Sequence, residues 1–255
     1  MSTANKERFN AEAAAWDSNP SVQKASQCAL EALRTAIPSL AGQTGTGTGP
    51  DILEIGCGTG VLSLRLAATC SVSSILAVDA AEGMIAALEH KLATSDAQYT
   101  ALVQPLCITL TDPEDARLPP SSSSESTRKK YDLVLSHLVL HHIADLRALL
   151  TTMLGCLRPG GSIALTDFED FGPAARKFHP ENKMAGVERH GIHAESFAKL
   201  IREVGFVDVD VRVAWTLEKG VERFPGEFEN GKPAEMETME FPFLLCRGTK
   251  PAPEC

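Results

Sequence analysis

The run DILEIGCGTG, residues 51–60, carries an apolar segment straight into Gly56, Gly58 and Gly60 and then into a helical stretch. Glycines at this spacing allow positive φ and close backbone approach, so a ligand can lie against the turn at the positive end of the following helix. The acid ending the next apolar run, Asp79 in ILAVD, is placed to accept hydrogen bonds from both hydroxyls of a ribose. Together the two features predict an adenosine across the carboxyl ends of two adjacent parallel strands.

Histidine supplies a second chemistry. His137, His141 and His190 are the candidate general bases, because imidazole titrates near neutral pH and can take a proton from a hydroxyl or a protonated amine. His141 and His142 are adjacent, which invites a metal reading; adjacent side chains point in different directions and no spaced third ligand follows, so no metal site is expected. His142 is read as structural. Asp167 ends a later apolar run, where it either orients a substrate or caps a loop. Seven cysteines (Cys28, Cys57, Cys70, Cys107, Cys156, Cys246 and Cys255) are scattered singly with no CxxC pair, a pattern of reduced thiols rather than of a disulfide framework or a zinc site. Cys57, inside the glycine turn, is read as a small packed residue.

These groups need a scaffold. From Asp51 the chain alternates β-rich runs (51–55, 75–79, 106–110, 131–136, 162–167) with helical ones (61–68, 84–92, 146–157, 195–204). Near-continuous apolar strands separated by amphipathic helices predict a parallel sheet covered on both faces. Two late strands, at 207–213 and 243–246, have no clear helix between them and predict a hairpin with one antiparallel edge strand. The predicted fold is α/β: a Rossmann-like, doubly wound, mostly parallel seven-stranded sheet with N-terminal helices before it. Helical spacing from Val22 to Ile37 places one of those helices, and residues 1–41 are expected to form a helical cap on a domain spanning 51–250. GQTGTGTGP (42–50) and PPSSSSESTRKK (119–130) contain nothing that could be buried and read as flexible connections.

Length and composition set bounds. The 255 residues are ample for one α/β domain, and 44% hydrophobic with 22% charged residues is ordinary for a globular chain. A formal net charge of -9 repels phosphate backbones and argues against a nucleic-acid partner. No apolar run spans a bilayer and the N-terminus lacks a secretory core, so the expected location is the cytoplasm, with the nucleus also open.

At this point the sequence resembles the class I S-adenosylmethionine-dependent methyltransferases. EIGCGTG (54–60) is similar to their first motif, VDAAEGMI (78–85) to the second, YDLVLSHLVLHHI (131–143) to the fourth-strand motif and LRPGGSIAL (157–165) to the turn into the fifth strand. Within the family the likeness is to the ubiquinone and menaquinone biosynthesis type. The resemblance implies S-adenosyl-L-methionine as cofactor, with the backbone of Gly56, Cys57, Gly58 and Gly60 facing its methionine part and Glu54 near its amino end. It implies Asp79 on the ribose, Ala80 and Met84 beside the adenine, and Ser136 and His137 on the cofactor after the fourth strand. Family members usually place an acid after the third strand to meet the adenine; this chain has Thr109 and Leu110 there instead. FNAEAAAWD (9–17) resembles a helix that folds over bound cofactor, which implies that Phe9 and Trp16 close the site. The segment 168–192 resembles a lid-like insertion over the substrate, making His179, Glu188, His190 and His193 candidates to touch it.

The implied activity is methyl transfer, with a small-molecule acceptor as the first reading. A protein acceptor, or a regulatory methyltransferase-like subunit that binds a protein partner, is the alternative. A dinucleotide dehydrogenase is disfavoured by GxGxG spacing in place of GxGxxG. SHLVLHH stands where amino-methyltransferases of DNA bases and glutamine carry an (Asn/Asp)-Pro-Pro-(Tyr/Phe) sequence.

Overall fold

The computed structural model describes residues 3–42, 48–122, 124–229, 231, 233 and 235–253. Residues 43–47 and Ser123 of the two low-complexity connections, and Cys255, lie outside the described residues. Two N-terminal helices, α1 (Thr3–Trp16) and α2 (Pro20–Ala36), precede the first strand. Asn19 starts α2: its side chain accepts from the Ser21 amide, and Pro20 sits where a missing N–H costs nothing.

Seven strands form the main sheet: β1 (Asp51–Ile55), β2 (Ser74–Asp79), β3 (Val103–Cys107), β4 (Tyr131–His137), β5 (Leu157–Phe168), β6 (Val207–Val221) and β7 (Glu237–Thr249). Their spatial order is β3-β2-β1-β4-β5-β7-β6. The first five run parallel, and β7 pairs antiparallel with both β5 and β6. The hairpin and single reversed strand are thus at the sheet edge, with β7 its inner member. Four helices pack on the faces: α3 (Val61–Thr69), α4 (Glu82–Thr94), α5 (Leu146–Cys156) and α6 (Ala194–Val204).

Strand alternation sorts the core into two layers. Leu53, Ile55, Leu76, Val78 and Val134 face α5 and α6, joining Leu150, Met153, Phe197 and Ile201. Ile52, Ile75, Ala77, Leu133 and Leu135 face the other way, onto Leu30, Leu33, Leu62, Leu66 and Leu88 of α2, α3 and α4. The strand order reverses between β1 and β4, which opens a crevice at their carboxyl ends.

Several elements differ from the sequence reading, the fifth strand among them, which begins at Leu157 rather than Ser162. The third strand covers 103–107 rather than 106–110; Pro105 is accommodated because β3 is an edge strand whose outer side needs no donors. Residues 120–121 and 124–128 pair as a small antiparallel hairpin, because main-chain pairing requires no apolar side chains. The late strands extend well beyond 207–213 and 243–246. Their distal halves build a third cluster of Phe168, Phe178, Leu217, Val221, Phe241 and Phe243, on which the segment after β5 rests. Among the described residues no helix is long and apolar enough to cross a membrane, and the described cysteines are free thiols.

Candidate active site

The glycine turn is fixed to β2 by its own backbone: the amides of Gly56 and Cys57 both donate to the Val78 carbonyl, at 2.7 and 3.0 Å. Gly56, Gly58 and Gly60 all hold positive φ, at 77°, 55° and 78°. A Cβ on Gly56 would stand 2.3 Å from Val139 Cγ2, so the turn there admits only glycine. Asp79 braces the turn from below, accepting from the Gly58 amide at 2.9 Å and the Ala81 amide at 2.8 Å.

Two carboxyl groups are buried here, Glu54 at 1% exposure and Asp79 at 6%. Burial pushes Glu54 up to about 7, opposed by the hydrogen bond donated from Ser63 and reinforced by the Asp79 charge. Burial also raises Asp79, against the lowering effect of its backbone donors. Neither makes an ion pair among the described residues. Two desolvated acids without an ion pair among the described residues suit a cation, and S-adenosylmethionine carries both a sulfonium and an ammonium, so this donor set fits that cofactor, while Arg8, Lys183 and Lys219 line the same cavity.

The carboxylates open into a cavity of about 290 Å³, which Gly56, Cys57, Gly58, Met84 and His137 also line. Across it stands a wall of histidines. His137 ends β4, with Nδ1 2.8 Å from the Thr166 hydroxyl and Nε2 buried without a partner among the described residues. Burial lowers its pKa to about 4, with Asp167 opposing and His141 assisting. The sequence reading took it to titrate near neutrality; desolvation instead keeps it uncharged. The next residue, Leu138, holds φ at 58°, a strained conformation at the cavity wall.

His141 and Asp167 form a buried pair, 2% and 0% exposed at the side chain. His141 Nδ1–H donates to the carboxylate at 2.8 and 2.9 Å, and Asp167 also accepts the amides of His141 and Phe168. Asp167 is not on the cavity wall; it holds the His141 ring beside the cavity and accepts two backbone amides, so what it orients is a side chain rather than a substrate. His142 Nδ1–H donates to the Gly186 carbonyl at 2.9 Å, and its ring lies 5.3 Å from that of Phe9. His179, from the segment after β5, packs against both, at 5.0 and 5.9 Å between ring centroids. This overturns one premise of the sequence reading. A third histidine does stand beside the adjacent pair, brought back by the chain after β5 rather than by local spacing.

The segment 168–192 lies over the cavity through Phe178, His179, Pro180 and Lys183, while Phe9 and Trp16 of α1 line the same space. The two covers are tied together. Arg8 donates to the carbonyls of Lys183 and Ala185 at 2.9 and 3.2 Å, and Asn5 donates to that of Gly186 at 3.0 Å. Asp17, next to Trp16, accepts from the Thr59 hydroxyl of the glycine turn and pairs with Lys91 of α4 at 2.6 Å. Phe9 and Trp16 were legible in the sequence, whereas Asn5, Arg8, Asp17 and Leu138 were not; the Asp of the WD pair was the available signal.

Other expected site residues lie off the cavity wall. Gly60 caps the start of α3, Ser136 donates to the Ile55 carbonyl at 2.8 Å and ties β4 to β1, and Leu110 is in the core. Ala80 and Thr109 are also outside it; the Thr109 hydroxyl is buried without a partner. His190 and Glu188 do not line it either, because the chain turns away once the Glu188 and Arg189 amides have donated to the His141 carbonyl. His193 accepts from the Ser196 amide and caps α6.

Known proteins match this arrangement. The family described as a methyltransferase domain matches residues 53–163. Phosphoethanolamine N-methyltransferase of Triticum aestivum is 25% identical over 63% of this chain, which spans only 28% of that protein's length. A malonyl-[acyl-carrier protein] O-methyltransferase of a Paenibacillus species is 28% identical over 80% of this chain and 71% of its own. Among solved structures, a SAM-dependent methyltransferase of Thermotoga maritima superposes with a TM-score of 0.57 at 17% identity, covering 96% of this chain and 99% of that one, a likeness of fold. Residues 53–163 therefore match the methyltransferase domain family, and the glycine turn, the acid ending the second strand and the strand order agree with that match and with the fold of the superposed methyltransferase.

Proposed function

We propose that the protein transfers a methyl group from S-adenosylmethionine to a small-molecule acceptor held in the 290 Å³ cavity. The observation that carries this reading is the pairing of two buried acids, which form no ion pair among the described residues, on one wall with uncharged histidines on the other. The cofactor, when bound, supplies an electrophilic methyl group on a sulfonium. The residues of the chain then have three tasks. The turn at Gly56–Gly58, with Glu54 and Asp79, binds and orients the cation, and Met84 borders its adenine side. Phe9 and Trp16 exclude water. The histidine wall positions the acceptor, and alignment of this kind supplies on the order of 7–11 kcal/mol. For an acceptor that must lose a proton, His141, held by Asp167, takes it at Nε2. His137 contributes a neutral hydrogen-bonding edge.

The relatives methylate different atoms, a nitrogen in phosphoethanolamine and an oxygen in malonyl-[acyl-carrier protein], so the acceptor is proposed as a class. The test is incubation of purified protein with methyl-labelled cofactor and a metabolite extract. Label in the small-molecule fraction is expected. Label only in protein, or cofactor binding with no transfer beside tight association with a second subunit, would replace this reading with one of its alternatives.

A further inference from the structure

The cluster of His141, His142 and His179 has a feature that ring packing alone does not explain. Each of the three side chains offers a ring nitrogen, and those nitrogens all lie within 4.8 Å of one another. All three residues are buried, at 2%, 5% and 8% exposure, and all three line the cavity. Two of the rings are oriented from behind: His141 Nδ1–H by the Asp167 carboxylate and His142 Nδ1–H by the Gly186 carbonyl. Each therefore keeps Nε2 as a lone-pair donor. The third ring, His179, makes no hydrogen bond among the described residues, and its Nδ1 is buried without a partner. Leaving such an atom unsatisfied is unfavourable, and a bound cation removes that cost.

An imidazole held by a carboxylate or a backbone carbonyl at its far nitrogen is the arrangement that metal-ligating histidines adopt. We propose that His141, His142 and His179 form a binding site for a single divalent transition-metal cation, with an open coordination position facing the cavity. Three neutral nitrogen donors with no carboxylate among them select zinc, cobalt, nickel or iron over magnesium and calcium, which take oxygen ligands. Metal–nitrogen bonds of about 2.0–2.1 Å in a tetrahedral site require nitrogens about 3.3 Å apart. The rings must therefore draw together by about 1.5 Å at most, and His179 sits at the end of a short 3-10 helix in the covering segment rather than on the sheet.

This site does not depend on methyl transfer. When the cation is bound, His141 is a ligand and no longer a base, so loss of turnover in a His141 variant fits either role and decides nothing. The test reads metal binding by the full chain, stripped with chelator and titrated with zinc or cobalt in the absence of any cofactor. The expected result is one ion per chain, with a cobalt spectrum showing visible d–d bands and no thiolate charge-transfer band. His179→Ala should lower affinity about 100-fold, and Asp167→Asn about 10- to 100-fold. His179→Cys, which offers a thiolate at the same position, should restore binding and add the charge-transfer band. Circular dichroism of each variant separates a lost ligand from a lost fold, and His179→Cys stands in where His179→Ala fails to fold. No saturable binding, full affinity in His179→Ala, or a thiolate band in the wild type would each overturn the proposal.

Discussion

Glu54→Gln isolates the electrostatic cost built into the acid-lined end of the cavity. The carboxyl is raised from the usual 4.5 to about 7, chiefly by burial. The folded chain therefore holds this proton more tightly than the unfolded chain does. Stability associated with the protonated carboxyl is fully present below about pH 4.3, and it is lost as the pH rises through about 7. The gap between 4.5 and about 7 corresponds to about 3 kcal/mol at ~1.4 kcal/mol per pH unit. Glutamine has nearly the same shape, and its carbonyl can accept the Ser63 hydroxyl, so the substitution removes the ionisation and little else. In urea unfolding the two proteins should agree within about 1 kcal/mol near pH 5, and near pH 8 the variant should be more stable by as much as ~3 kcal/mol. The same variant should bind S-adenosylmethionine at least ~10-fold more weakly, because a buried carboxylate facing a cation contributes about 1.5–3 kcal/mol. Calorimetry near pH 7 in two buffers of different ionisation heat should show proton release on binding by the wild type alone. A stability difference that does not change with pH, or a wild type more stable than the variant near pH 8, would refute the reasoning.

Asp79→Ala should reduce cofactor affinity by about 10- to 100-fold, more than any single histidine change, since it removes a carboxylate and the brace under the Gly58 amide; unchanged affinity by titration calorimetry would remove Asp79 from the cofactor site. Gly60→Ala should destabilise by about 2–4 kcal/mol in urea unfolding, because φ is 78° and the new Cβ would stand 2.5 Å from Leu88 Cδ1; a loss below ~0.5 kcal/mol would mean the turn tolerates a side chain. Asp51 lies at the other end of β1, where burial raises its pKa but hydrogen bonds from Lys129, Ser74 and Arg158 outweigh it and bring it to about 2. Its contribution is present above about pH 4 and is lost as the pH falls toward 2, so Asp51→Asn should cost about 1–2 kcal/mol at neutral pH, after allowance for solvent screening, and progressively less in acid. A constant difference across that window would sink the assignment.

The parts of the molecule written in local pattern were legible. The run 51–60 states its strand, turn and helix in one stretch, and Asp79 follows at the end of the next strand, so the acid-lined end of the cavity could be placed before any coordinates. The sheet was equally readable, because buried strands are nearly continuous runs of apolar residues. Elements whose partners are distant in sequence were not. The sequence reading places the third strand three residues late, because nothing local marks β3 as an edge strand that can hold Pro105. His190 and His179 looked alike in the sequence, yet only His179 reaches the cavity, and that depends on how the segment after β5 rests on the distal half of a hairpin. The shift in His137 was also hidden, since desolvation comes from the whole fold rather than from neighbours in sequence.

The bonds from Asn5 and Arg8 to the carbonyls of Lys183, Ala185 and Gly186 join the amino-terminal helix to a segment some 180 positions further along the chain. The Glu12–Lys183 ion pair at 3.2 Å joins the same two pieces, so neither cover can swing aside without rupturing contacts it shares with the other. The Gly186 carbonyl also receives His142, and any movement of the covers is therefore felt at the histidine wall: admitting a molecule and setting the wall that meets it are one mechanical event.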